Sequence, residues 1–254
     1  MMNLQNVAFG AKSPAYVVSN ECVREIVNFV QPAGKTALSV AGSGDFPLTL
    51  TAYDALCVDT FDISYNARVI MDIKTYMLRN KTQFVQYLHN LKVLKDSLDI
   101  TSGECGEMVC RALTPKTLQY VKSMRGQRLF LHDDYSAFLP SLDEFKNMQS
   151  KIVYPYNFVW TDLFNLSGHI ENKTYDIVYL SNVLQYVYDD DKLIKVLTGL
   201  TKHLNQDGTI VVDSLLPNRA HKRMVRYNKI RQNMPNWANF VYDSKSEALF
   251  LRMR

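Results

Sequence analysis

The order of apolar and polar positions predicts an alternation of buried strands and one-sided helices. Ala37-Leu38-Ser39-Val40-Ala41 is an apolar run without alternation, as a strand covered on both faces requires. It leads through Gly42-Ser43-Gly44-Asp45 into a helical run from Phe46 to Ala55, and then into Val58-Asp59-Thr60-Phe61, closing on Asp62. Strand, glycine turn, helix and strand make a βαβ unit of a parallel sheet. Ahead of it, Val23, Ile26, Val27 and Val30 form one apolar helix face, with Ser19-Asn20-Glu21 as its expected cap and Gln31-Pro32-Ala33-Gly34 as its stop. The loop Phe9 to Tyr16 carries two aromatics and is expected either to fold over a ligand or to strap the sheet. After Asp62, Ser64-Tyr65-Asn66-Ala67 opens a helix with Val69, Ile70, Ile73, Tyr76 and Met77 at helical spacing, to about Asn80.

Residues 80–150 break the alternation. They predict helices rich in Leu, Lys and Tyr, interrupted at Thr101 to Gly106 and at Thr114-Pro115, with no strand until about Lys151. A helical insertion above the strand ends would wall an acceptor pocket. Tyr120, His132, Asp133, Asp134 and Tyr135 are its polar candidates for acceptor binding or proton removal. The sheet resumes with Phe158-Val159-Trp160-Thr161-Asp162-Leu163-Phe164, Asp162 falling just past the strand, and again at Tyr175-Asp176-Ile177-Val178-Tyr179-Leu180. Asp189-Asp190-Asp191 reads as the acidic start of a helix reaching Leu204, and Gly208 to Ser214 as a fifth strand. Asn239 to Asp243 and Ala248 to Arg252, joined through 244–247, predict a terminal hairpin. The whole, 1–254, is expected to be a single α/β domain with a seven-stranded, mostly parallel sheet, a helical insertion over 80–150 and a C-terminal antiparallel hairpin.

Composition changes this picture little. At 254 residues, 47% hydrophobic and 21% charged, the chain is large enough for one substantial core. No apolar stretch is long enough to span a bilayer and the first residues lack a signal-like pattern, so the expected location is the cytoplasm, with no transmembrane segment. Four cysteines without C-x-x-C spacing or adjacent histidines predict thiols and no metal site. A net charge of +4 is mild. Residues 219–231 carry bases and no acid, so they are expected either to make peripheral contact with an anionic surface or to form a solvated face. Nucleic acid is not the expected partner; a small-molecule or lipid acceptor is.

The chemistry concentrates at the βαβ unit. Gly42 and Gly44 let the main chain lie against a ligand, and Asp62, at the carboxyl end of its strand, can accept two ribose hydroxyls. Pro47 stands where a dinucleotide fingerprint needs its third glycine, and no Walker lysine follows, so a nucleoside is expected rather than a pyrophosphate.

This turn with two acids resembles the cofactor site of class I S-adenosylmethionine-dependent transferases. The resemblance implies S-adenosylmethionine as cofactor, with the turn (Ala41, Gly42, Ser43, Gly44, Asp45) facing its methionine part and Asp62, followed by Ile63, holding the ribose. It also implies Asp162 at the adenine amine, with Leu163 on the ring, Ser181 and Asn182 beside the sulfonium, and Tyr186 over the transferred group. Thr161-Asp162 reads equally as a cap for the next turn. Within the class, Ser39 to Asp45, Val58 to Ile63, Ile73-Lys74 and Phe84 to Leu88 are similar to the family of the betaine-lipid S-adenosylmethionine:diacylglycerol 3-amino-3-carboxypropyltransferase. That implies aminocarboxypropyl transfer, with methyl transfer as the alternative. A non-catalytic cofactor- or nucleic-acid-binding module is the rival from another class.

Overall fold

The computed structural model describes residues 10–131, 139–152, 156–181, 183, 187, 189–213, 228–232, 238–243 and 248–253. In chain order the elements are β1 (Ala15–Tyr16), α1 (Val23–Val30), β2 (Thr36–Val40), α2 (Asp45–Ala52), β3 (Cys57–Asp62) and α3 (Tyr65–Arg79). There follow α4 (Phe84–Asp96), α5 (Gly106–Ala112), α6 (Pro115–Ser123), β4 (Phe130–Leu131), α7 (Leu142–Lys151) and β5 (Asn157–Trp160). The chain continues through α8 (Leu166–His169), β6 (Tyr175–Tyr179), α9 (Asp190–Thr201), β7 (Leu204–Asp213), β8 (Ala238–Asp243) and β9 (Ala248–Met253).

Seven strands form one sheet in the order β5-β3-β2-β6-β7-β9-β8. The first five are parallel, and β9 runs antiparallel to both β7 and β8. That order, with its terminal hairpin, is the Rossmann-like methyltransferase fold. It puts the turn after β2 beside the point where the winding reverses, between β2 and β6, where an open parallel sheet leaves a crevice at its strand ends.

Successive residues of each central strand feed two separate cores, because side chains alternate across a pleated sheet. Ala37, Ile177, Tyr179, Val211 and Phe250 face the core shared with α1, α2, α3 and the helices α4–α7. Their neighbours Leu38, Val178, Ile210, Val212, Leu249 and Leu251 face the core under α8 and α9. The strands therefore read as unbroken apolar runs.

Helix α3 begins as its sequence predicts, with the Ser64 side chain accepting from the Asn66 N–H. Helix α9 begins likewise, with Asp189 accepting from the N–H groups of Asp191 and Lys192. Helix α1 differs. Its N-cap is Cys22, whose side chain does not cap the helix, because Ser19 and Glu21 are turned into the interior, both under a tenth exposed. A strand also stands where none was expected: β4 pairs in parallel with β1, Ala15 opposite Phe130 and Tyr16 opposite Leu131. Two residues are too few to leave a periodic signature. The fifth strand starts at Leu204, earlier than Gly208, through an irregular register against Tyr175 and Ile177.

Candidate functional site

The glycine turn owes its shape to two backbone conformations that side chains resist. Gly42 has φ +51° and Gly44 φ +83°, in the left-handed region. The turn closes with the Gly44 N–H donating to the Ala41 carbonyl at 2.7 Å, while the Ala41 N–H bonds to Phe61 O and prolongs the pairing of β2 with β3. A Cβ added to Gly42 would meet nothing within 4 Å, whereas one on Gly44 would meet Met71 Cγ of α3 at 2.9 Å. The two glycines thus serve different surfaces: Gly42 borders open space, and Gly44 lets α2 seat against α3.

Asp62 ends β3 beside this turn. Its Oδ2 accepts the Gly42 N–H at 2.9 Å and its Oδ1 the Ser64 N–H at 2.8 Å. Each oxygen keeps a second lone pair, so the carboxylate is oriented by the backbone and can still accept two hydroxyls. Burial pushes its pKa up to about 6, outweighing the opposing bonds from the backbone of Ser64, Gly42 and Ile63. Ile63, half-buried, presents its carbonyl to Trp160 Nε1 at 2.9 Å.

Asp45 departs from the expected ligand-facing position. It is 3% exposed, and its Oδ1 receives the Lys74 ammonium at 2.5 Å. Its Oδ2 accepts the Ser19 N–H at 2.7 Å and the Ser43 hydroxyl at 2.9 Å. Lys74 lies wholly inside, and burial lowers its pKa while Asp45 opposes the shift. Ser43 is accordingly turned toward Asp45 and is buried. This pair is a clasp: α3 holds the first residue of α2, which holds both the turn and the lead-in segment.

Asp162 accepts from the Asn165 backbone N–H at 2.9 Å and from the Asn165 side-chain amide, so it closes the turn into α8 as well as standing past β5. Leu163 also departs from expectation in its placement. It is 6% exposed and packs in the core under α8 and α9. Ser181, past the end of β6, has φ +54° and donates its hydroxyl to Glu21. Asn182, Tyr186, His132, Asp133, Asp134, Tyr135 and the basic run up to Tyr227 lie outside the described residues. Of that run, Lys229 lies 3.5 Å from Asp190 and 3.3 Å from Asp191, against the start of α9. Tyr120 donates to Asn66 Oδ1 at 3.1 Å, and burial pushes its pKa up to about 12, which does not suit a base.

The structure thus brings Gly42, Asp62, Ile63 and Ser181 to one rim and turns Ser43, Asp45 and Leu163 inward. Two residues of this region carry no site role in the sequence reading, where Glu21 is a helix cap and Lys74 only part of the family resemblance. Lys74 could have been found, since it interrupts the apolar stripe of Ile70, Ile73 and Met77. Glu21 gave no signal, because an acid before a helix usually serves the helix.

The lead-in segment crosses the same rim. The Tyr65 N–H donates to Ala11 O, and Ser64 Oγ and Asn66 Nδ2 both donate to Ser13 O. Further on, Ser19 reaches Asp45 and Glu21 reaches Ser181. Among the described residues, no group of His, Cys, Asp or Glu has the arrangement of a metal site, and no helix is long and apolar enough to cross a membrane.

No family model matches the chain, and no curated protein matches it. Among solved structures it is similar to the N-methyltransferase NodS from Bradyrhizobium japonicum WM9 in complex with S-adenosyl-L-homocysteine, at 12% identity over 91% of this chain and 86% of that one, with a TM-score of 0.42. It is also similar to the rRNA methyltransferase aviRa from Streptomyces viridochromogenes (15% identity, 97% and 88% covered, TM-score 0.46). A third is the ribosomal protein L11 methylase from Lactobacillus delbrueckii subsp. bulgaricus (10% identity, 91% and 75% covered, TM-score 0.43). The strand order, not these distant likenesses, carries the fold assignment: the chain has the Rossmann-like methyltransferase fold.

Proposed function

We propose that the protein is an S-adenosylmethionine-dependent transferase. The observation that carries this reading is the Asp62 carboxylate, aimed by the N–H groups of Gly42 and Ser64 across a turn whose Gly42 borders open space. That cradle fits a ribose, with Ile63 and Asp162 toward the base and Ser181 on the far side of the turn. Bound there, the cofactor supplies an electrophilic carbon next to a positively charged sulfur. The chain's part is to hold the nucleoside, keep water away and present the acceptor in line. Helices α4–α7 are the proposed wall of the acceptor pocket, and a small molecule or lipid the proposed acceptor.

For the group moved, aminocarboxypropyl is favoured by the resemblance of Ser39 to Asp45, Val58 to Ile63 and Ile73-Lys74. Methyl transfer is compatible with the same fold. The leaving group separates the two. Enzyme- and acceptor-dependent 5′-methylthioadenosine, above its spontaneous formation, is the product expected of aminocarboxypropyl transfer, and S-adenosylhomocysteine that of methyl transfer. Both are resolved by mass after incubation with cell extract. Failure of the purified protein to bind S-adenosylmethionine, together with salt-dependent binding of RNA or anionic vesicles, would replace the enzyme with a binding module.

A further inference from the structure

Helix α6 turns one face toward the proposed site and carries bases on the other. Thr117 and Val121 are buried, and Tyr120 bonds to Asn66 and meets Tyr65, the first residue of α3, edge to face at 4.7 Å between ring centroids. With these positions inward, a helix turning about 100° per residue sends Lys116, Gln119, Lys122 and Ser123 outward. All four are exposed. The chain then doubles back, the Arg125 N–H bonding to Lys122 O and the Gln127 N–H to Met124 O, and this turn exposes Arg125 and Arg128.

Every charged side chain between Met108 and Leu131 is a base: Arg111, Lys116, Lys122, Arg125 and Arg128. Acids of neighbouring segments reach two of them, Glu107 pairing with Arg111 and Asp99 with Arg125. Among the described residues, Lys116, Lys122 and Arg128 have no acidic partner. A large apolar side chain joins the same surface. The Gly126 N–H donates to Leu98 O, and Leu98, in the loop after α4, is 53% exposed.

Bases around an exposed leucine fit an anionic lipid surface, where phosphates meet the bases and the leucine enters the boundary of the acyl chains. Nucleic acid is held differently, by bases interleaved with aromatic rings on which nucleobases stack. Tyr120, the aromatic residue of α6, faces inward instead.

We propose that the outer face of α6, the turn at 124–128 and Leu98 dock the protein on an anionic lipid surface. Docking there brings the pocket behind α6 to the level of the headgroups, where a lipid acceptor lies. That consequence rests on the transferase reading above, whereas the docking is measured without cofactor, so the two fail separately. The purified protein is floated with vesicles of phosphatidylcholine alone or of equal parts phosphatidylcholine and phosphatidylglycerol. It should bind only the mixed vesicles and release them as salt rises. Lys122→Gln combined with Arg128→Gln should weaken binding about thirtyfold, with an unchanged melting temperature because both side chains are exposed. Leu98→Asn should weaken it without altering its steepness in salt. Lys195→Gln with Lys202→Gln removes the same charge from α9, which covers the opposite face of the sheet, and should bind as wild type. Equal losses in the two double variants would overturn the proposal, as would wild-type binding by Leu98→Asn. Polyuridylate held more tightly than the vesicles, and lost with Lys122 and Arg128, would overturn it in favour of nucleic acid. A wild type that ignores the mixed vesicles at low salt would overturn it without any variant.

Discussion

Replacing Asp62 with Ala should shift stability in the variant's favour as pH rises while disabling the proposed site. The Asp62 carboxyl has its pKa raised from an ordinary 3.8 to about 6 by burial. An acid with a raised folded-state pKa favours the folded protein only while protonated. Its penalty begins as pH rises past the unfolded value and is fully imposed above the folded one. At about 1.4 kcal/mol per unit, the whole displacement is worth about 3 kcal/mol. About 2 kcal/mol of that falls between pH 4 and pH 8, because the unfolded chain is already half ionised at pH 4. Asp62→Ala removes the penalty, but it also strips an acceptor from the Gly42 and Ser64 N–H groups. That second loss is nearly independent of pH, so it cancels when the variant is compared with the wild type at both pH values. Urea unfolding followed by circular dichroism should therefore show the variant gaining about 2 kcal/mol on the wild type between pH 4 and pH 8. A constant difference, or one of opposite sign, would refute the raised pKa. Ribose hydroxyls donate to the ionised form, so wild-type affinity for S-adenosylmethionine should fall as pH drops below 6. In Asp62→Ala it should be weaker by about 2 kcal/mol and flat with pH.

Other substitutions probe the clasp, the turn and the insertion. Gly44→Val places a Cβ 2.9 Å from Met71 Cγ in a φ +83° backbone, so it should cost about 1 to 3 kcal/mol; an unchanged melting temperature would show that α2 and α3 do not meet there. Lys74→Met leaves Asp45 buried without its counter-ion and should destabilise by about 3 to 5 kcal/mol. Adding Asp45→Asn should recover part of that loss in denaturant melts, and additive costs would contradict the pairing. Tyr120→Phe removes the donor to Asn66 Oδ1 and should cost about 1 kcal/mol of stability. Turnover should remain near wild type; a collapse of turnover alone would make the phenol catalytic after all.

The parts of the fold visible in the sequence are those whose signal is local. Ala37 to Ala41 and Tyr175 to Leu180 read as buried strands because both of their faces are covered. Ser64 and Asp189 read as helix starts because each caps the helix that follows it. Gly42 and Asp62 were legible together because one βαβ unit holds both. What escaped depends on partners far along the chain. Asp45 looked like a ligand-facing acid because nothing near it announces Lys74, on a different helix. Glu21 looked like a cap because its partners, Tyr179 and Ser181, lie at and just past the end of a strand about 160 residues away. Leu163 looked available to an adenine ring, yet the apolar underside of the sheet draws it in.

The place of β2, flanked by β3 on one edge and β6 on the other, bears on how the molecule is made. Its first neighbour, Val58 for Ala37, emerges almost at once, but its second, Ile177, emerges much later. At about 5 to 20 residues per second, a ribosome needs about 6 to 24 s to travel from one to the other. Throughout that interval the strand bearing the glycine turn has an unpaired apolar edge, the kind of surface that other chains add to. The nascent polypeptide is therefore most exposed to aggregation between translation of the βαβ unit and translation of β6, and slowing synthesis across residues 80–170 should lower its soluble yield.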